Sequence, residues 1–331
     1  MRPNPIHRLA LLGLVLLPAA LAGQDRSGAP GQPPAAPAPL GPKAPFTVAV
    51  STATLEAGPV YIADEGPFGP QFQYINGGVR SLANDGAHAA TNATTQMLIV
   101  IRDNPKVRLL FTLTEGLYRI VAKRSAGITT LADLRGKRVV VPRDTSAHYH
   151  LVAMLRSAGV QESEVTLVAA PATAMAAAVA KGDADAISMW EPESQNAVDA
   201  LGADAVVFQN NKIYRELFSV YSSTDVLNDT RRRRELVEFV RAVIASTGEL
   251  TRDPKRFVPL ISRVTRHPEA QITRSWEHHA FPLAVPSDLL DIVTEEEKWV
   301  AARQKREPRT RAEIEGFIDR SVLAEARGNP K

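Results

Sequence analysis

The residues in this chain that could do chemistry are hydroxyls, an indole and a few carboxylates. Thr145 and Ser146 follow Val139-Val140-Val141-Pro142-Arg143-Asp144, and a stripe of Leu151, Met154, Leu155 and Ala158 comes after them, closed by Gly159. β-branched valines favour a buried strand, and Pro142 ends it because proline has no N–H for the ladder. A strand that feeds a helix through a hydroxyl-bearing loop leaves free backbone N–H groups at the helix start, where the dipole favours negative charge. The chemistry on offer is oxyanion binding, although an ordinary hydroxyl-capped turn uses the same residues. Asn92 and Thr94 stand at an equivalent strand-to-helix turn earlier in the chain, with ligand contact and simple capping both open. Trp190, at a strand end, can close an apolar pocket wall or offer one N–H, or it can pack one lobe on another. Glu191 can hold an ammonium group or serve as the carboxylate that a helix start favours.

Catalytic and metal chemistry find no pattern. His148 and His150 are two apart, so on a helix they point to different faces, and His278-His279 is no better as a metal pair. The chain has no His-Glu-x-x-His, no Gly-x-Ser-x-Gly, no phosphate-binding Gly-Lys-Ser/Thr loop and no dinucleotide glycine fingerprint. It has no cysteine, which excludes disulfides, thiol catalysis, cysteine metal sites and a lipid-bearing N-terminal cysteine. The expectation is a chain without cofactor or metal, and not an enzyme.

Positioning such groups takes a large core, and 331 residues suffice for two lobes. Arg2, His7 and Arg8, an apolar run at 9–17 and Ala20-Leu21-Ala22 make a cleavable export signal, too short to span a bilayer. Residues 23–45, rich in Pro, Ala and Gly, read as a disordered leader. The mature chain is therefore expected in the periplasm, cut near Ala22, with no membrane insertion. The net charge of +3 includes Arg2 and Arg8, which leave with the signal, so it is no nucleic-acid footprint. The one dense basic run, residues 231–234, follows a helix-start signal and reads as a solvated helix face or a docking patch.

From Phe46 onward the pattern alternates. Strands are predicted at 46–50, 72–75, 87–91, 107–113 and 118–123, with helices at 58–65, 79–84 and 93–102 between them. After Gly127 the alternation restarts, with strands at 139–141, 165–168, 184–189 and 205–208 and a further strand at 217–221. Helices then fill 232–247, 254–264, 268–278, 289–304 and 311–324. Alternation argues for an α/β fold with parallel strands, and two such units joined by two crossings argue for two lobes around a cleft. Residues 84–92 and 180–188 also echo each other, each closing a helix on glycine before an alanine-rich strand.

The stretch Gly127-Ile128-Thr129-Thr130-Leu131-Ala132-Asp133-Leu134-Arg135-Gly136-Lys137 with the valines after it resembles the segment that opens the second lobe in substrate-binding proteins of ABC importers of the nitrate/sulfonate/taurine type. Asp144-Thr145-Ser146-Ala147-His148-Tyr149 resembles their ligand loop and helix start. Lys181-Gly182-Asp183-Ala184-Asp185-Ala186 with Trp190-Glu191-Pro192, and Ile318-Asp319-Arg320-Ser321, are similar to two further family signatures. His88 departs from the family, which usually has an acidic residue there. The resemblance implies a two-lobed periplasmic-binding-protein fold (type II-like) with a helical C-terminal tail. Lobe 1 would begin at 46–122, lobe 2 take 123–216, and 217–331 return to lobe 1. Such a protein closes on a small, anionic solute and passes it to a membrane permease with its ATPase, acting as a monomer with no nucleic-acid partner. Mapped residue by residue, the resemblance implies ligand contacts from Ser51, Thr54, Asn92, Thr94, Thr145, Ser146, His148, Trp190 and Glu191. Its rival within the same fold family is a thiamine-pyrimidine-synthase-like enzyme or a pyrimidine-precursor binding protein.

Overall fold

The computed structural model of the chain describes residues 45–65 and 72–328; the signal expected at 1–22 and, Pro45 apart, the leader at 23–45 lie outside these residues. The elements run β1 (Phe46–Val50), α1 (Gly58–Glu65), β2 (Phe72–Asn76), α2 (Ser81–Asn84), β3 (Ala89–Ala93), α3 (Thr94–Val100) and β4 (Val107–Gly116). Next come β5 (Arg119–Lys123), β6 (Arg138–Val140), α4 (Ser146–Ser157), β7 (Thr166–Val168), α5 (Ala172–Lys181), β8 (Ala186–Met189), α6 (Glu193–Leu201), β9 (Ala205–Phe208) and β10 (Glu216–Ser223). The rest is α7 (Thr224–Asn228), α8 (Thr230–Arg252), α9 (Pro254–Thr265), α10 (Glu269–Ser275), β11 (His279–Ala280), α11 (Leu289–Arg303), α12 (Arg311–Glu315) and α13 (Ser321–Ala326).

These strands form two mixed sheets, ordered β11-β4-β10-β3-β1-β2 and β7-β6-β8-β5-β9. Where helices separate successive strands the pairing is parallel, as in β1 with β2 and β3 and in β6 with β7 and β8. Strands that enter or leave a sheet run antiparallel: β10 lies between β3 and β4, and β5 between β8 and β9. The expectation of parallel strands thus holds for two of the five pairings in the first sheet and two of the four in the second, and fails where the chain crosses. It crosses at Leu117-Tyr118 and again within 209–215, so residues 119–122, expected in the first lobe, belong to the second sheet.

Each sheet has its core. Phe46, Phe111 and Phe239 pack on the first sheet with α1 and α8. Val139, Val140, Leu151, Leu155 and Ile187 fill the second, and this core continues through Tyr118 and Tyr214 into Met97 and Leu98 of α3. Of the predicted stripe of α4, Leu151, Met154 and Leu155 are buried, each stabilising the fold by about 1.5–3 kcal/mol, while Ala158 is half-buried at the C-cap.

Two element bounds need correction. Residues 311–324 are not one helix, because Gly316–Asp319 lies against β4: Leu109 N–H donates to the Phe317 carbonyl and Asp319 N–H to the Leu109 carbonyl, both at 2.8 Å. Backbone groups satisfied by a sheet edge leave no helix to continue. His88 lies at the amino end of β3, away from any ligand loop; its Nδ1 accepts the Thr47 N–H at 2.9 Å and its ring stacks on Phe46. The strand expected at 87–91 accordingly starts at Ala89. In the basic run, Arg231 and Arg232 bind Glu235, and Arg233 binds Glu325 and Ser321 of α13. Among the described residues no helix is long and apolar enough to cross a membrane.

Candidate functional site

Parallel strands end at the same edge, and ligands of open α/β sheets bind beyond those carboxyl ends. β1, β2 and β3 deliver Ser51 and Thr54, Gly77-Gly78 and Asn92 to one side of a cleft of about 270 Å³. β6 and β8 deliver Thr145, Ser146 and Trp190 to the other side, while Glu56, Tyr118 and Phe218 complete the lining between them.

On the first-lobe wall the loop after β1 is held by its carbonyls. Tyr61 Oη donates to the carbonyls of Ser51 and, at 2.8 Å, Thr54, and the Thr52 N–H donates to Asn76 Oδ1 at 3.1 Å. The side chains of Ser51 and Thr54 are thereby left to the cleft, and Thr54 Oγ1 is buried without a partner. Asn92 accepts the Ala93 N–H on its Oδ1 at 2.9 Å, which turns its amide NH2 toward Gly78. A side chain at Gly78 would stand 2.3 Å from that nitrogen, so glycine is what admits the amide there.

On the second-lobe wall Thr145 takes the N-cap position of α4, yet its hydroxyl donates back to the Pro142 carbonyl at 2.7 Å and caps nothing. Ser146 Oγ meets Tyr118 Oη at 3.2 Å, and the Trp190 ring packs 6.3 Å from the ring of Tyr118. Gln96 of α3 reaches across the cleft mouth, donating from Nε2 to the Asp144 carbonyl at 2.9 Å. Arg303 of α11 also binds Asp144, and Glu162 at 3.3 Å.

Six of the nine residues predicted for the site therefore line the cleft, and three do not. Thr94 is fully buried at the start of α3. His148 is likewise buried: its Nδ1 accepts the Asp144 N–H at 3.1 Å, so the proton sits on Nε2, which donates to Glu162 at 3.0 Å. Its helical neighbour His150 faces Ser188 Oγ at 2.9 Å, and burial pushes its pKa down to about 3. Glu191 is the buried partner of Arg119 at 2.7 Å and accepts the Gln195 N–H at 3.2 Å. It does not line the cleft. A carboxylate that follows a pocket tryptophan reads as a ligand group until its arginine, seventy-two residues away in sequence, is known.

Glu56, Tyr118, Gln96, Phe218 and Gly77-Gly78 were not predicted. The glycine pair after a strand is a legible signal of close backbone approach. Glu56 carries none, since an acid before a helix looks solvated. In the fold it is 1 % exposed, and burial raises its pKa to about 8. Behind it Glu216 accepts the Tyr214 hydroxyl at 2.5 Å and, again through burial, is raised to about 7.

A larger hollow of about 500 Å³ lies between α4, α11 and residues 211–215. It receives no strand ends, and Arg215 on its wall is already held by Glu115 and Asp288. Convergence of strand ends makes the smaller cleft the candidate site. Among the described residues no group of three or more His, Cys, Asp or Glu is placed to hold a metal ion.

Comparison with known proteins agrees with this architecture. The taurine-binding periplasmic protein of Escherichia coli (strain K12) is 34% identical over 93 residues, which are 28% of this chain and 27% of that relative. The match thus spans about a quarter of the relative's length. The alkanesulfonate-binding protein SsuA from Xanthomonas axonopodis pv. citri, solved bound to MOPS, superposes with a TM-score of 0.66 at 17% identity, covering 84% of this chain and 99% of that one. The desulfurization enzyme DszB superposes with a TM-score of 0.61 at 13% identity, covering 86% of this chain and 99% of that one. At such identities the likeness is one of fold, the two-lobed α/β fold of periplasmic binding proteins, which binders and an enzyme share. Residues 76–257 match the family described as NMT1/THI5 like, and with more than half of its length in that match the chain belongs to the NMT1/THI5-like family.

Proposed function

We propose that this chain is the solute-capturing component of an ABC importer, taking a small oxyanion-bearing solute of the sulfonate or taurine kind and delivering it to a membrane permease with its ATPase. The cleft carries this reading. Strand ends of both sheets converge on it, the twelve-residue α4 opens onto it at Ser146, and Ser51, Thr54, Asn92 and Ser146 offer neutral hydrogen-bond groups beside the Trp190 ring. Neutral donors and a helix start bind an oxyanion without a countercharge. The stretch similar to a taurine-binding protein supports the solute class. We also propose capture rather than turnover: no hydroxyl–histidine pair lines the cleft among the described residues.

Ligand would favour the closed lobes by its differential affinity for them, with Gln96 and Asp144 meeting at the mouth. The test is a thermal-shift and calorimetric screen of the mature chain with taurine, alkyl and aryl sulfonates, nitrate, aromatic carboxylates and pyrimidines. A sulfonate is expected to raise the midpoint, since only a ligand of the folded state does so. A response to pyrimidines alone would favour the pyrimidine-binding reading instead. Export is checked separately: the N-terminus from the native host is expected near Gly23, and an intact Met1 would refute it.

A further inference from the structure

The feature of the cleft that sulfonate binding leaves unused is Glu56. Its main chain is fixed by Thr114, whose hydroxyl donates to the Glu56 carbonyl at 2.6 Å. Its carboxyl group is buried, yet only Oε1 has a hydrogen-bond partner, the Tyr118 hydroxyl at a long 3.5 Å. Oε2 has none. The Thr54 hydroxyl is near enough to lower the pKa of Glu56, but it too is buried without hydrogen-bond geometry to any partner. No lysine, arginine or histidine lines the cleft among the described residues. The ionisable groups that face Glu56 are Glu216, Glu191, Tyr61 and Tyr118, none of them a cation.

A buried carboxyl oxygen without a donor costs desolvation that some partner must offset. Because Glu56 lines the cleft, that partner can be the solute. Tyr118 Oη touches Glu56 on one side and Ser146 Oγ on the other, so the acid and the start of α4 stand two hydrogen bonds apart. Resting on the sulfonate reading above, we propose that Glu56 recognises a protonated amine on the solute, which makes the preferred ligand a short zwitterion with its oxyanion at the start of α4.

Proton linkage follows from the chemistry. In the empty cleft Glu56, with its pKa near 8, is protonated at pH 7. An ammonium group favours the carboxylate, so binding expels the proton and tightens as pH rises toward 8. A sulfonate without an amine has no such coupling.

The experiment is calorimetry at pH 7 with taurine, propane-1-sulfonate (the amine replaced by a methyl group) and β-alanine, each in buffers of different ionisation enthalpy. Taurine is expected to bind about 10–100-fold tighter than propane-1-sulfonate, the range of a charge-assisted contact, with release of close to one proton. In Glu56→Gln the ratio is expected to fall to about one and the proton release to vanish; the wild-type release stands as evidence even if the variant does not fold. Equal binding of both sulfonates without proton release overturns the Glu56 role and leaves the sulfonate reading intact. β-Alanine bound with proton release, and neither sulfonate bound, upholds Glu56 and overturns the sulfonate. Binding of none of the three overturns both.

Discussion

The two walls of the cleft differ in what their polar groups already hold. On the second-lobe side the candidates on the wall and just behind it have partners inside their own lobe: Thr145, on the wall, with the Pro142 carbonyl, and His148 and Glu191, behind it, with Glu162 and Arg119. On the first-lobe wall Thr54 Oγ1 and Glu56 Oε2 are buried with none. The two glutamates make the contrast sharpest. Glu191 is an internal ion pair beside the pocket, and Glu56 is an unpaired acid within it. A buried polar group reports its role through its partner, or the lack of one, more than through its residue type. The second wall is built, and the first is waiting.

The largest test of that contrast removes the paired acid. Glu191→Ala leaves Arg119 charged and buried, and it should cost about 3–5 kcal/mol in denaturant unfolding. Glu56→Gln, with no ion pair to break, should cost far less; equal losses would erase the distinction. Next comes Ser146→Ala, expected to weaken the best oxyanion ligand by roughly tenfold or more, about 1.5–3 kcal/mol, by calorimetry at a temperature where the variant stays folded. Unchanged affinity would mean the hydroxyl serves only Tyr118.

The third test is pH. Glu56, raised to about 8, contributes stability that is complete below the unfolded value near 4.5 and is lost as pH climbs through 8. Glu216, raised to about 7, acts in the same direction. The buried histidines, lowered by burial, oppose this only below their unfolded value of 6.5. Between pH 6.5 and 8 the ligand-free protein should therefore lose about 2 kcal/mol to Glu56, and Glu56→Gln should flatten the profile. Identical slopes would place the titration elsewhere. The smallest effect belongs to Thr145→Ala. It should lower stability by about 1 kcal/mol through the lost bond to Pro142 and leave affinity nearly unchanged. A tenfold affinity loss would return Thr145 to the ligand.

The sequence allowed the second wall to be located because its signals are local: valines, a proline, a hydroxyl pair and a helical stripe lie within twenty residues. Trp190 was legible for the same reason, at the end of a short alanine-rich strand. The partners that decide function were not legible. Whether Glu191 is free depends on Arg119, and whether Glu56 is buried depends on Thr114 of β4 and on Tyr118 at the crossing, all of them more than fifty residues away in sequence. The family resemblance supplied Ser51 and Thr54 but could not set apart Thr94 and His148, which lie in the first turns of α3 and α4 and are buried. The break in the helix expected at 311–324 was hidden likewise, since periodicity does not report a sheet edge alongside.

The strand order has a consequence for how the molecule assembles. Every strand of the second sheet comes from residues 119–208, one unbroken stretch, whereas the first sheet is split until β10 slides between β3 and β4. A nascent chain can complete the second sheet from nearby segments, while β3, at the end of the β1–β2–β3 set, must wait more than a hundred residues for β10. Non-local pairing is the slow step in folding, so the first sheet should close last. Pulse-labelled hydrogen exchange during refolding should then protect β6 and β8 before β3, and the reverse order would contradict it. On this account the wall with the unpaired acid is also the last part of the cleft to form.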